Sequence, residues 1–265
     1  MPWVLRGLRN GVVTTRYPAR PDSYADEFHG AVAVRDSAID FGPDLAAICP
    51  TGAIADQAGQ VRLDRGLCIL CGACVAAYPK VFSWDTGSGT ARLDRRALLV
   101  PEELHQGPDR LAAVRAELAH RVRALRQSVH IRHVDAGSDG SEEWEIHALT
   151  NPTYDVHRLG IFVTASPRHA DILMVTGAGA RGMIAPLRRT QAAMPNPVVV
   201  IAVGTDAISG GLVAPTYAIT AGLLDQIDVD VCVPGSPPTP FAILHGILLA
   251  LGRLPTGRST PAVPS

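Results

Sequence analysis

Uninterrupted apolar runs mark the second half of the chain. Residues 172–176 and 198–203 are apolar or nearly so, without the alternation of polar side chains that a half-exposed strand shows. Strands of parallel sheets covered on both faces have this pattern. Shorter strands are predicted at 130–134 and 230–233, and helices at 183–194, 215–225 and 239–252. The alternation of strands and helices predicts a doubly wound α/β domain over residues 129–253.

The first half of the chain is organised differently. Residues 38–100 carry two short repeats rich in cysteine and proline, which predict a small α+β domain. Residues 1–37 are interrupted by prolines and are interpreted as an N-terminal arm. Apolar residues three and four apart predict a linker helix within 101–128, whose arginines form a solvated face or, alternatively, a docking face for an acidic partner. The Pro/Ser/Thr-rich residues 254–265 predict a disordered tail.

Charge and hydropathy argue against a nucleic-acid-binding, membrane-spanning or secreted protein. The formal net charge is -1 over 265 residues, so no global basic field favours nucleic acid as a partner. The apolar stretch 241–251 is interrupted by His245 and is too short to span a bilayer. The first residues lack the apolar core of a secretory signal. A cytoplasmic protein that reaches a membrane through partner proteins is therefore expected.

The cysteines carry the clearest chemical signal. Cys68, Cys71 and Cys74 are separated by two residues each, the spacing by which ferredoxins hold three irons of a cubane. In bacterial two-cluster ferredoxins a fourth cysteine, followed by proline, ligates the cluster of the other repeat. Cys49, followed by Pro50, stands in that place. The sequence predicts one 4Fe–4S cluster held by these four thiolates.

The ligands of a second cluster are absent. Tyr78 precedes Pro79 where the second repeat would carry its own fourth cysteine. Counting back from Cys49 by the motif spacing leads to residues that cannot bind iron, namely Leu45, Gly42 and Ile39. One cluster is thus lost completely and the other keeps every ligand. A zinc site made by the same cysteines is the alternative. The fifth cysteine, Cys232, lies in an apolar strand and is predicted to be core.

Three motifs in the second half resemble a known family. They are residues 148–161 (Ala-Leu-Thr-Asn-Pro-Thr-Tyr-Asp-Val-His-Arg-Leu-Gly-Ile), 166–173 (Ser-Pro-Arg-His-Ala-Asp-Ile-Leu) and 233–238 (Val-Pro-Gly-Ser-Pro-Pro). They resemble the small, proximal-cluster subunit of energy-converting nickel–iron hydrogenases and the 20 kDa (B-type) subunit of complex I. The cysteine-containing domain is similar to bacterial two-cluster ferredoxins and to a neighbouring subunit of the same complexes. The chain therefore resembles a fusion of two electron-transfer subunits, and the resemblance implies a flavodoxin-like sheet.

The resemblance also implies that the proximal cluster is missing. The family's four cysteine ligands correspond here to Asp139, Glu142, Asp206 and Ser236. Oxygen ligands of this kind suit magnesium, calcium or manganese, so a divalent cation is one hypothesis. A protonatable cluster that feeds a proton path is a second, since close carboxylates raise one another's pKa. A polar lining without either role is the third.

The expected partners follow from the same resemblance. They are a large hydrogenase-like subunit, similar to the 49 kDa subunit of complex I, and membrane subunits reached through the complex. Tyr154 and Arg158 correspond to a loop that faces the large subunit, and Arg168 and His169 to a loop beside the proximal cluster. These four residues are expected to contact the partner or, alternatively, to fix their loops by hydrogen bonds.

The function expected is that of an electron-transfer subunit in the peripheral arm of a hydrogenase-related or complex I-like oxidoreductase, on the inner face of the cell membrane and not catalytic alone. The alternative is a non-redox scaffold that couples the large subunit to ion-translocating membrane subunits. A nucleotide-dependent reductase is a third hypothesis. It rests only on the glycines of residues 177–182, which follow a strand and precede a predicted helix.

Overall fold

The computed structural model describes residues 3–20, 24–36, 42–57, 59–101, 116, 120 and 128–254. The predicted linker helix and the predicted tail fall almost entirely outside the described residues. None of the helices within the described ranges has the length and apolar character needed to cross a membrane.

The N-terminal half forms a small α+β unit. Its elements are α1 (Trp3–Asn10), β1 (His29–Val34), α2 (Pro43–Ala47), β2 (Ile54–Gln57), β3 (Gln60–Asp64), α3 (Ala73–Ala77), β4 (Phe82–Thr86) and β5 (Leu99–Val100). Strands β1 and β4 pair antiparallel, with Val32 opposite Trp84. A second antiparallel sheet has the order β2-β3-β5. Although the prolines around it suggested an arm, β1 therefore belongs to this unit, because its partner strand lies about fifty residues away in the chain.

The C-terminal half is an α/β unit. Its elements are β6 (Val129–Asp135), α4 (Ser141–Ala148), β7 (Ile161–Val163), β8 (Ile172–Thr176), α5 (Arg181–Ala192), β9 (Val199–Val203), α6 (Thr205–Ser209), β10 (Val231–Val233) and α7 (Pro240–Ala250). All five strands are parallel and lie in the order β7-β6-β8-β9-β10. This is the 2-1-3-4-5 order of flavodoxin-like folds, so the expected fold class is confirmed.

Both faces of this sheet are buried. Alternate residues of β8 enter two separate cores, Met174 on the face covered by α7 and Leu173 on the face covered by α5. Every residue of β8 and of β9 is buried, which explains why neither run alternates with polar side chains. The sequence pattern located these strands because two covered faces demand apolar residues at every position.

The prediction of a helix at 215–225 is wrong. Residues 210–228 form turns and irregular backbone instead. Gly222 has φ +82, and a Cβ there would lie 2.7 Å from the carbonyl carbon of Ile208. The segment thus passes directly against α6 in a conformation that favours glycine.

Hydrogen bonds and buried side chains join the two units. Arg92 and Cys232 exchange backbone hydrogen bonds of 2.9 and 2.8 Å, so the chain runs antiparallel to the outer edge of β10. Leu98 is buried in one core of the α/β unit. The hydroxyl of Tyr17 lies 2.7 Å from Nδ1 of His245 in α7, and this tyrosine is buried in the other core. The halves therefore share hydrophobic packing.

Candidate iron–sulfur site and the neighbouring acidic pocket

Four cysteines line one cavity in the N-terminal unit. Cys49 follows α2, Cys68 and Cys71 lie in the loop before α3, and Cys74 lies in α3. The rest of the lining is largely apolar and includes Val32, Ile48, Ile54, Leu63 and Ile69. Folding thus brings together the four thiols that the sequence predicts as ligands.

The loop that carries Cys71 needs unusual backbone conformations. Leu70 has φ +56 and Gly72 has φ +75. A Cβ on Gly72 would lie 2.9 Å from the ring of Trp84, so glycine is required here both for its φ and for its lack of a side chain. This tight turn lets three cysteines face one cavity from seven consecutive residues.

The fourth thiol, that of Cys49, is held by a second turn. The sulfur of Cys49 accepts a hydrogen bond of 3.2 Å from the backbone N–H of Ala53 and lies 3.4 Å from the hydroxyl of Thr51. Gly52, between them, has φ +65. The Cys49-Pro50-Thr51-Gly52 segment therefore directs one N–H group at the sulfur, as expected for a group that carries negative charge when it binds metal.

The electrostatics of the cavity fit a metal cluster. Burial raises the pKa of Cys68 to about 11, the backbone N–H of Leu70 opposes this, and the three other cysteines raise it further. Burial likewise raises the pKa of Cys74, with Cys71 and Cys49 adding to the effect. Thiols this close and this buried ionise readily only when a cation neutralises them. All four are free of disulfide bonds, and the donor set is the one that 4Fe–4S clusters use.

The four residues predicted to replace the family's cluster ligands lie at the carboxyl edge of the large sheet. Asp139 follows β6, Asp206 follows β9 and Ser236 follows β10, while Glu142 lies in the first turn of α4. Glu142 is 0% exposed. Its Oε2 accepts a hydrogen bond of 3.2 Å from the hydroxyl of Ser141, and its Oε1 has no hydrogen-bond partner among the described residues.

The three carboxylates influence one another. Burial raises the pKa of Glu142 to about 7, and the charges of Asp206 and Asp139 contribute. Burial and then Asp139 raise the pKa of Asp206. Asp139 differs, because hydrogen bonds from the side chain and backbone of Ser141 lower its pKa. Within the described residues no three His, Cys, Asp or Glu side chains are arranged to hold a single metal ion, and a divalent cation here stays a prediction.

A threonine links the acidic pocket, the site formed by Asp139, Glu142 and Asp206, to the cysteine loop. The hydroxyl of Thr205 donates a buried hydrogen bond of 3.0 Å to the carbonyl oxygen of Cys68. Its backbone N–H donates to the carbonyl oxygen of Gly235 at 2.7 Å. Thr205 precedes Asp206, and Gly235 precedes Ser236, so the cysteine loop rests directly beside two of the positions predicted to replace the family's ligands. The sequence did not indicate this contact, because the two residues are far apart in the chain and a threonine after a strand is common.

Comparison with known proteins identifies the α/β unit. Residues 140–250 match the family described as NADH ubiquinone oxidoreductase, 20 Kd subunit, and residues 61–117 match a 4Fe-4S single cluster domain. Formate hydrogenlyase subunit 7 of Escherichia coli (strain K12) is 40% identical over 144 residues, which are 54% of this chain and 55% of that protein. The probable membrane-bound hydrogenase subunit mbhJ of Pyrococcus furiosus is 41% identical over 138 residues, which are 52% of this chain and 82% of that protein. The chain belongs to the 20 kDa subunit family of NADH ubiquinone oxidoreductase.

The family relationship extends to quinone reductases. A B-type subunit of the NADH-quinone oxidoreductase of Rhizobium etli is 41% identical over 111 residues, which are 42% of this chain and 66% of that protein. The chain thus spans about half the length of the formate hydrogenlyase protein and just under two thirds of the quinone oxidoreductase protein. The matches confirm the expected resemblance, with a 4Fe–4S domain preceding the 20 kDa-subunit domain.

Two of the residues expected to face a partner make contacts within the chain. Arg158 donates a hydrogen bond of 2.5 Å to the carbonyl oxygen of Tyr17. The ring of Tyr154 packs edge-on against Phe241 at 4.7 Å between centroids. These contacts match the alternative in which such residues fix loops, and Arg158 is still exposed to solvent. Contact with a partner stays a prediction.

The other two are exposed but lie at the opposite edge of the sheet from the acidic pocket. Arg168 and His169 form a short 3₁₀ helix, Pro167–His169, that leads into the amino end of β8. Asp139, Asp206 and Ser236 follow the carboxyl ends of β6, β9 and β10. A loop that enters a parallel strand lies at the opposite edge from loops that leave its neighbours, so Arg168 and His169 lie away from those residues, and their contact with a partner stays a prediction.

Two glycines of the segment that resembles a nucleotide-binding motif, Gly177 and Gly179, allow neighbouring loops to pack closely. A Cβ on Gly177 would lie 2.6 Å from the backbone of Gly137 and Ser138. A Cβ on Gly179 would lie 2.2 Å from the hydroxyl of Thr220. Both positions have φ above +80. Neighbouring loops thus occupy the space that a phosphate would need against these glycines.

One polar network was not foreseen. The hydroxyl of Thr176 donates to Oε1 of Glu143, and Oε2 of the same carboxylate accepts a hydrogen bond of 2.6 Å from Ser138. Nε2 of His133 lies 3.0 Å from the hydroxyl of Thr176. Burial lowers the pKa of this histidine, although Glu143 opposes the effect. The network ties β6, β8 and α4 together beside the acidic pocket, and no short spacing in the sequence reveals it.

Proposed function

We propose that this chain is an electron-transfer subunit in the peripheral arm of a membrane-bound hydrogenase-related or complex I-like oxidoreductase. It retains one 4Fe–4S cluster, lacks the proximal cluster and is not catalytic alone. The observation that carries this proposal is the contrast between two sites in one chain. Four thiols line one cavity, whereas the family's four ligand positions carry three carboxylates and a hydroxyl.

The cysteine cavity has the features that an electron-transfer site needs. A bound 4Fe–4S cluster would supply one-electron chemistry. The protein would hold it by four sulfurs, exclude water with apolar side chains and donate backbone N–H groups to the sulfurs. Cys71 is exposed, so one side of the site is accessible to an electron partner. The opposite side, at Cys68, rests on Thr205 of the family domain.

The partners and location are part of the same proposal. Relatives are named as subunits of formate hydrogenlyase, of a membrane-bound hydrogenase and of NADH-quinone oxidoreductase. By analogy this chain docks a large subunit, similar to the 49 kDa subunit of complex I, with its α/β unit and meets membrane subunits through the complex. It then works on the cytoplasmic face of the membrane.

A non-redox scaffold is the second candidate. It is favoured by the loss of every thiolate at the proximal position, which interrupts the family's route toward the large subunit. It is also favoured by the packing that joins the two units, with Arg92 paired to Cys232 and Leu98 inside the α/β core. In this role the cluster would serve structure only.

Metal analysis and a redox titration separate these candidates. The chain, purified without oxygen, should contain about four irons, as its set of four cysteine ligands requires. About eight irons would mean that a second cluster survives on other ligands, and zinc in place of iron would overturn the ferredoxin assignment. Reversible one-electron reduction, followed by electron paramagnetic resonance, supports electron transfer. A cluster that is not reduced at any accessible potential supports the scaffold.

A further inference from the structure

Helix α1 stands apart from the rest of the molecule in its exposure. None of its residues is buried. Trp3 is 83% exposed and Leu8 is 75% exposed, and Val12, just beyond the helix, is 87% exposed. Large apolar side chains exposed together, rather than singly, mark an interaction surface.

The helix separates apolar from charged side chains. Val4, Leu5 and Leu8 are three and four positions apart and share one side. Arg6 and Arg9 share the other side, and the helix contains no acidic residue. Residues 3–20 contain four arginines and neither Asp nor Glu. The segment is therefore amphipathic, and every full charge on it is positive.

The chain after the helix is fastened to the α/β unit. The backbone N–H and the hydroxyl of Thr15 both donate to the carbonyl oxygen of Thr153 at 3.1 Å. Tyr17 is buried against Phe241 and contacts His245. The carbonyl oxygen of Tyr17 accepts from Arg158. The helix is thus attached a few residues from a fixed point, at the side of the sheet where the loop before β7 lies.

We propose that α1 lies in the surface of an anionic membrane, with its apolar side among the upper acyl chains and its arginines among the lipid phosphates. Helices with an apolar side and a purely basic polar side bind anionic bilayers in this orientation. Eight residues give a length of about 12 Å, far too short to span a bilayer.

This inference goes beyond the proposed function, in which the chain reaches the membrane through other subunits. It concerns a direct contact of this chain with lipid, and it does not depend on whether the cluster carries electrons. The two proposals can therefore fail separately.

The test is co-flotation of the full, cluster-containing chain with vesicles. Vesicles of phosphatidylcholine with a third phosphatidylglycerol should bind it, vesicles of phosphatidylcholine alone should bind it much less, and salt at about 1 M should release it. Exchanging Arg6 and Arg9 for Glu should weaken binding at least about 30-fold, since each removed cation near an anionic surface weakens binding about fivefold. Leu8→Glu should weaken it roughly tenfold or more.

Matched controls keep the result specific. Leu212 is 61% exposed but lies outside α1, and Leu212→Glu should leave vesicle binding unchanged. Arg189→Glu, on an exposed position of α5, should lower binding far less than the Arg6 and Arg9 exchange. The fluorescence of Trp3, obtained as the difference from Trp3→Phe, should shift to the blue with anionic vesicles.

Three outcomes would overturn the proposal. They are no binding to anionic vesicles, equal binding of Leu8→Glu and the parent chain, or an unshifted Trp3 emission. Loss of assembly with the other subunits in Leu8→Glu, without any vesicle binding by the parent chain, would show that α1 docks on protein instead.

Discussion

Thr205 and Cys68, 137 residues apart in the chain, are joined by a buried hydrogen bond of 3.0 Å from the threonine hydroxyl to the cysteine carbonyl oxygen. Thr205 is the first residue of α6 and is 0% exposed. The bond fixes the loop that carries Cys68 to the edge of the sheet where Asp206 and Ser236 lie. The geometry of the cysteine cavity therefore depends on the second unit.

Thr205→Val should weaken this connection without changing the shape of the side chain. It leaves the carbonyl oxygen of Cys68 without its buried donor, so the chain should lose about 1–2 kcal/mol of stability, and its cluster should bleach faster in air. Denaturant midpoints and visible absorbance measure both effects. Thr190→Val, which removes an exposed hydroxyl bond within α5, should change either quantity little. Equal effects of the two variants would mean that the contact does not support the cluster.

Cys71→Ser should remove the cluster and destabilise the N-terminal unit. Metal binding and folding are coupled in domains of this size, and the substitution removes one of four ligands. Iron content should fall to near zero, and limited proteolysis should cut first within residues 42–101. Cys232→Ala, at the cysteine that lies in β10 outside the cavity, should keep its iron. Full iron content in Cys71→Ser would contradict the assigned ligand set.

Glu142 should make the chain less stable as the pH rises toward neutrality. Its pKa is raised from 4.5 to about 7, so the folded state holds the proton more tightly than the unfolded state. The resulting stabilisation is complete below about pH 4.5 and is lost as the pH rises through about 7, a difference of roughly 3 kcal/mol. Glu142→Gln should flatten the dependence of melting temperature on pH between 5.5 and 8. Glu27→Gln, at an exposed site, should leave the slope as it is.

Asp206→Asn should stabilise the chain at pH 7.5. Burial and Asp139 raise the pKa of Asp206, so its ionised form is unfavourable in the folded state, and removing the charge should raise the free energy of unfolding. Asp139→Asn should have the opposite sign, because Ser141 donates hydrogen bonds to that carboxylate. Magnesium, calcium or manganese should raise the melting temperature only if the acids bind a cation. If neither ions nor Asp206→Asn alter stability, the acids do not share a site.

The sequence could locate the centre of the large sheet but not its margins. Strands β8 and β9 lie within one residue of their predicted bounds, because uninterrupted apolar runs fit only a sheet covered on both faces. Strand β7 has three residues, two of them exposed, and too little periodicity to be recognised. Helix α4 carries mostly charged and polar residues and is held by Ile146 in the core. Tertiary contacts, not local pattern, determine such elements.

For the cysteine cavity and the acidic residues too, the sequence predicted local motifs but not contacts between distant segments. Three cysteines of the cluster motif are local in sequence, and ferredoxin architecture supplied the fourth, so the cavity could be anticipated. The replacement of the family's ligands by Asp139, Glu142 and Asp206 follows from the sequence resemblance and stays a prediction. The full burial of Glu142 and the bond from Thr205 could not be anticipated, since both arise from packing between segments far apart in the chain.

The backbone pairing of Arg92 with Cys232 has a consequence for any attempt to divide the chain. Strand β10 is the last strand of its sheet, and the segment around Arg92 occupies its outward-facing hydrogen-bonding groups. A fragment that starts at residue 129 would lose Tyr17, Ala91 and Leu98 from its hydrophobic cores and would expose the edge of an apolar strand to solvent. Bare edges of this kind recruit further strands from neighbouring molecules. We expect such a fragment to self-associate more readily than the full chain, in which the N-terminal half covers this edge.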